Sequence, residues 1–158
     1  MIMGPDDADP RTVSLMHSLS GENEVGVYDP KALDPGRYTL KYVYRIHPEV
    51  VHDDEVGYVS LEFDGSHLNY NDARISVEGA GEVVNYFPHT LSLDHVERNG
   101  TLILTGSLPE DKALRIDVLL ENGALTGFEG FLTSGKEVKA EAYSEYEAYV
   151  SQHCSAPS

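Results

Sequence analysis

The chain has 158 residues, 41% of them hydrophobic, and its 27 acidic against 11 basic side chains leave a formal net charge of −16. A chain of that length suits one domain with a sizeable core and no staples. The acidity excludes nucleic-acid binding through phosphate contacts and works against docking on an anionic membrane surface, and no apolar run approaches the length of a bilayer span.

Residues 1–12 are acidic, carry Pro5 and Pro10, and read as a disordered tail. The start has neither a basic n-region nor an apolar h-region, so the expectation is a cytoplasmic protein without a signal peptide. Residues 12–19 fit a first strand or a short helix, and 25–28 a short extended piece. Asp29-Pro30 and Asp34-Pro35-Gly36 then punctuate the chain.

Residues 37–46 form the clearest strand pattern. Tyr38, Leu40, Tyr42, Tyr44 and Ile46 alternate with Arg37, Thr39, Lys41, Val43 and Arg45, giving one aromatic-apolar face and one cationic face. The segment 47–55 is a polar loop holding His47, His52 and four carboxylates. Its spacing matches neither His-Glu-x-x-His nor His-x-His, so no metal site is assigned to it. Residues 56–63 alternate as a second strand and lead into the turn pair Asp64-Gly65, followed by 67–70 and a further turn at Asn71-Asp72.

Residues 73–78 are a strand, Gly79-Ala80-Gly81 a break, and 83–87 a short strand closed by Pro88. Residues 90–97 pair with 101–107 across Asn99-Gly100, and 113–121 pair with 124–133 across Asn122-Gly123. Gly127 and Gly130 mark curvature in the last of these. Ser134-Gly135 opens 136–150, whose alternation predicts a strand through about residue 143, with any helix confined to the end. Cys154 is the one cysteine, so no intramolecular disulfide exists.

Tight turns about every ten residues predict an all-β antiparallel meander. Such a meander closes into a small barrel of about eight to ten strands, with a two-sheet sandwich as the alternative. One domain is expected over 13–150, with a C-terminal tail over 151–158. The organisation resembles the lipocalin-type and allene-oxide-cyclase-type small barrels in architecture only, since a chain without Trp lacks the lipocalin Gly-x-Trp signature.

No Gly-x-Ser-x-Gly elbow, phosphate loop or Cys-x-x-Cys pair occurs, and no cofactor is implied. A barrel implies an apolar lumen with a few placed polar groups, which would take an apolar small molecule. Its predicted lining is Tyr38, Tyr42, Tyr44, Phe63, Phe87 and Phe131. A second polar group gathers His89 and His95 with Asp94 and Tyr86. Alternation places His95 on the face of Leu91 and Leu93, so His95 and Tyr42 are the catalytic candidates if the protein is a cofactor-free isomerase or cyclase rather than a carrier. The alternative function is an acidic interaction module, of inhibitor or immunity type, that binds a basic protein partner through its surface. A homodimer is also left open.

Overall fold

The computed structural model describes residues 9–19, 34–37, 39, 41, 43, 45–63, 67–79 and 82–153. Tyr38, Tyr42, Tyr44, Cys154, the 25–28 segment and the turn at Asp64-Gly65 lie outside them. Internal contacts divide the chain into residues 1–44 and 45–158. The first part contains helix α1, Pro10–Leu19. The carboxylate of Asp9 accepts hydrogen bonds from the Arg11 N–H at 2.9 Å and the Thr12 hydroxyl at 2.7 Å. An Asp at the N-cap followed by Pro at the first helical position is the pairing that starts helices, and it decides the strand-or-helix alternative for 12–19. Within 37–46 the described residues, Arg37, Thr39, Lys41, Val43, Arg45 and Ile46, are in no strand.

The second part holds eight described strands and a long helix. The strands are β1 Glu49–His52, β2 Val56–Phe63, β3 Tyr70–Glu78, β4 Val83–Pro88, β5 Asp94–Arg98, β6 Thr101–Leu108, β7 Leu114–Glu121 and β8 Phe131–Ser134; the helix is α2, Val138–His153. They form a five-stranded sheet of order β4-β7-β2-β1-β8 and a three-stranded sheet of order β3-β6-β5. Among the described residues all pairings are antiparallel except β1 with β8. The fold is rich in β-structure, mostly antiparallel and in two sheets, as the all-β expectation has it; no closed barrel forms among the described residues.

The two sheets share one apolar core. Val50, Val59, Tyr86, Ile116 and Val118 from the larger sheet pack with Leu102, Leu104 and Leu108 from the smaller. On the other face of the larger sheet, Val56, Phe87 and Leu119 pack with Val138 and Ala142 of α2. β7 is therefore buried from both sides, and β2 and β4 take both of its edges. No edge is left for the predicted partner 124–133. Asn122-Gly123 accordingly opens a 3₁₀ turn, Asn122–Leu125, instead of a hairpin.

Asn99-Gly100 does form the predicted hairpin. Both residues have positive φ, 53° and 75°, and β5 and β6 pair directly across them. Asn71 and Asp72 lie inside β3, where the register with β6 shifts between Tyr70 and Ala73, so the expected turn is a β-irregularity.

Residues 138–143 of the strand predicted over 136–143 are the first six residues of α2. Its period-2 alternation is real, but Ala140, Ala142, Ala148, Glu141, Glu145 and Glu147 favour helix. Val138, Ala142, Tyr146 and Tyr149 also lie on one helical stripe, the side that the sheet covers or partly covers. The Asp53 carboxylate reaches across from the β1–β2 turn to accept the Val138 N–H at 2.8 Å, satisfying one of the donors that every helix leaves open at its start. No helix among the described residues is long and apolar enough to cross a membrane.

Candidate functional site

The face of the larger sheet beneath α2 is where polar chemistry is buried. Cross-strand partners share a face, so Phe87, Asp117 and Ser60 form one row across β4, β7 and β2. In the next row Asn85, Leu119, Tyr58, Val51 and Thr133 run from β4 to β8. Two residues along β7 from Asp117, Arg115 is on the same face; so are Glu49 and Phe131, two residues from Val51 and Thr133.

Asp117 is the centre of the cluster, its side chain 1% exposed. Its Oδ1 accepts from the Ser60 hydroxyl at 2.6 Å and from Arg115 Nε at 3.0 Å. Its Oδ2 accepts from Arg115 Nη2 at 2.8 Å, His89 Nε2 at 2.6 Å and the Tyr58 hydroxyl. An ionised carboxylate offers about four lone-pair sites, so five donors saturate it. Burial pushes the Asp117 carboxyl up, but the hydrogen bonds from Arg115, Ser60 and Tyr58 outweigh burial and hold it below the usual carboxylate range. Asp117 is thus a buried anion. Burial, then the hydrogen bond to Asp117, raises the Tyr58 phenol well above its ordinary value, so Tyr58 keeps its proton.

His89 follows the end of β4, and its backbone N–H still bonds the Arg115 carbonyl at 3.0 Å. Its side chain is 4% exposed. Desolvation lowers the imidazole below its ordinary value against the pull of Asp117, and Arg115 adds to the lowering. The ring is therefore neutral at neutral pH. Because Asp117 is acceptor-only, the network assigns the single ring proton to Nε2. Nδ1 is left as a buried acceptor with no hydrogen-bond partner among the described residues.

Helix α2 closes this side with aromatic rings. Tyr146 and Tyr149 meet the His89 ring edge to face at centroid distances of 5.4 and 4.6 Å, and the Tyr149 hydroxyl bonds the His89 carbonyl. Tyr143 and Tyr146 meet Phe87 at 5.1 and 5.3 Å. Arg115, its side chain 33% exposed, bridges outward to Glu145 at 2.9 Å. The cluster therefore has a dry end at His89 and a wet end at Arg115, Glu145 and the exposed Ser60.

Of the sequence-predicted residues, Phe87 belongs to this site. Phe131 shares the sheet face but lies four strands away, about 19 Å at the usual strand spacing, and is 74% exposed. Phe63 is opposite Leu114, on the other face, and is largely exposed. His95 is on β5, at the edge of the smaller sheet, and is exposed. These residues line no common lumen, and Tyr38, Tyr42 and Tyr44 lie outside the described residues. Of the group His89, His95, Asp94 and Tyr86, only His89 enters the cluster. Tyr86 faces the inter-sheet core and donates to the Gly100 carbonyl at 2.7 Å.

In the 47–55 segment, His47 Nδ1 lies 2.9 Å from the Glu129 carbonyl, and the Asp53 carboxylate is held by the N–H groups of Glu55, Val56 and Val138. No three His, Cys, Asp or Glu side chains among the described residues are grouped to hold a metal ion.

The sequence reading missed Asp117, Arg115, Tyr58, Ser60, Tyr146 and Tyr149. One signal for them exists. In Leu114-Arg115-Ile116-Asp117-Val118-Leu119-Leu120, opposite charges two residues apart interrupt an otherwise apolar strand, and residues two apart share a face. No family model, curated protein or solved structure matches this chain.

Proposed function

We propose that the protein binds a small molecule at the seam between α2 and the larger sheet, with His89 Nδ1 as the acceptor for a ligand N–H or O–H. This keeps the small-molecule expectation and moves it from a barrel lumen to a sheet face. The observation that carries it is an imidazole, 4% exposed, whose Nε2 lies 2.6 Å from Asp117 Oδ2 while Nδ1 has no hydrogen-bond partner among the described residues. An unsatisfied buried acceptor costs about 1–3 kcal/mol, which a ligand donor at Nδ1 would recover. The aromatic rings of Phe87, Tyr146 and Tyr149 supply the apolar walls that such pockets have. A carrier and a cofactor-free isomerase differ here only in whether Nδ1 accepts a hydrogen bond or takes the proton.

The test is native mass spectrometry of the purified chain beside its denatured mass, repeated on His89→Phe, with a small-molecule thermal-shift screen of both proteins. A co-purifying or stabilising compound that wild type holds and His89→Phe loses supports the reading. A clean apo mass, with no compound that separates the two proteins, overturns it.

A further inference from the structure

Sheet edges invite strand addition unless they are guarded, and three of the four edge strands here are. β3 carries Asp72, Arg74 and Glu78, and β5 carries Asp94, Glu97 and Arg98. β4 has a register shift and ends in Pro88, with residues 86–88 buried. β8, Phe-Leu-Thr-Ser, has no charge, no proline and no shift in register, and all four residues are exposed.

The Phe131 and Gly135 N–H groups bond the carbonyls of Pro48 and His52 on the β1 side. Alternation then turns the N–H and C=O groups of Leu132 and Ser134 outward. Among the described residues, β8 has no strand on that side. Phe131 on one face and Leu132 on the other, 74% and 48% exposed, are ready to cover side chains of an added strand. Where β8 ends, beside His52, the surface opens into a depression lined by Asp53, Asp54, Glu55 and Glu137, with Lys139 as the one base among the described lining residues.

We propose that β8 receives an extended, alternating apolar segment of a partner protein, whose Lys or Arg residues occupy the acidic depression. Antiparallel pairing, the more stable arrangement, puts those basic residues at the N-terminal end of the segment. The backbone supplies the affinity, and the charge supplies direction and a fast, salt-sensitive encounter. This proposal is independent of the His89 site, which lies at the opposite edge of the sheet.

The probe is acetyl-Arg-Lys-Arg-Val-Thr-Val-Thr-amide added to the ¹⁵N-labelled full chain. Expected are amide shifts at residues 131–135 and 53–55, weakening as salt rises. Leu132→Pro removes one outward donor without touching the β1 ladder and lowers affinity about tenfold. Leu132→Lys, which adds the missing guard charge, weakens binding while leaving the free protein's spectrum native. A backbone N-methylated peptide, or one with its basic residues moved to the other end, binds more weakly. The proposal falls if shifts appear elsewhere, or if the N-methylated peptide binds as well as the parent. It also falls if sedimentation shows the edge taken by a second copy in a dimer that Leu132→Lys dissolves.

Discussion

The two faces of the five-stranded sheet solve burial in opposite ways. Toward the smaller sheet, β7 presents Leu114, Ile116 and Val118 to an apolar core in which shape alone matters. Toward α2, the same strand presents Arg115 and Asp117, and stability there depends on every donor finding its acceptor. Apolar packing tolerates a change of residue if volume is kept, whereas a buried carboxylate tolerates the loss of no partner. The apolar face thus secures the fold. The polar face fixes one arrangement of His89, Tyr58 and α2, which a ligand site requires and a core does not.

The largest expected effect is on the polar face. Asp117→Ala leaves the Arg115, Ser60, Tyr58 and His89 donors without their acceptor and lowers stability by about 3–5 kcal/mol in urea denaturation. Leu104→Ala, fully buried on the apolar side, lowers it by about 2–4 kcal/mol. The contrast shows in the rescue. Replacing Asp117, Arg115 and His89 together by Leu, Met and Phe restores most of the loss, because an apolar set needs no partners. Failure of that triple variant to recover would mean that the two faces do not differ in kind.

Acid separates the faces next. His89 has its imidazole held below the ordinary value of about 6.5 in the fold, so the unfolded chain binds a proton more readily. Its contribution is complete above about pH 6.5 and is lost as pH falls below that value. Asp117 and Asp53, both held below the usual carboxylate value of about 3.9, contribute above it and are lost on further acidification. Stability measured in urea from pH 7 to pH 5 therefore declines in wild type and declines less in His89→Gln. Parallel curves would refute the assignment of a neutral, buried His89.

How much of this was legible follows from how local each signal is. The Asn99-Gly100 hairpin was readable because a two-residue turn is decided by its own φ angles. Asn122-Gly123 carries the same dipeptide and forms no hairpin, because β2 and β4 already hold both edges of β7, a fact of tertiary pairing. Alternation marks the strand 56–63, and Pro88 and Asn122-Gly123 bound the strands 83–87 and 113–121, but none of these signals says which strands share a sheet. Helix α2 was misread because its residues satisfy periods of 2 and 3.6 at once, and only the sheet it covers decides between them. The strand face shared by Leu91, Leu93 and His95 does not form: β5 begins at Asp94, Leu91 and Leu93 lie in the turn before it, and His95 sits exposed on the edge strand. The Asp117 cluster gathers residues from β2, the end of β4, β7 and α2, separated by up to 60 positions in its direct hydrogen bonds, and no local pattern announces that.

The smallest expected effect tests how α2 is held over the polar face. Its start is tied by the Asp53–Val138 bond and by buried Val138 and Ala142, its middle by Glu145 to Arg115, and its second half by Tyr149 to the His89 carbonyl. Tyr149→Phe keeps the ring against His89 and removes only the hydroxyl, so global stability falls by about 1 kcal/mol. Amide exchange should rise over residues 146–153 and stay unchanged over 138–142, since local opening follows the contacts that are lost. Such a split would make the second half of α2 the movable cover of the His89 site, anchored by an apolar first turn. A uniform rise along the helix would mean that α2 opens as one unit and that the buried imidazole is reached only when the whole helix leaves the sheet.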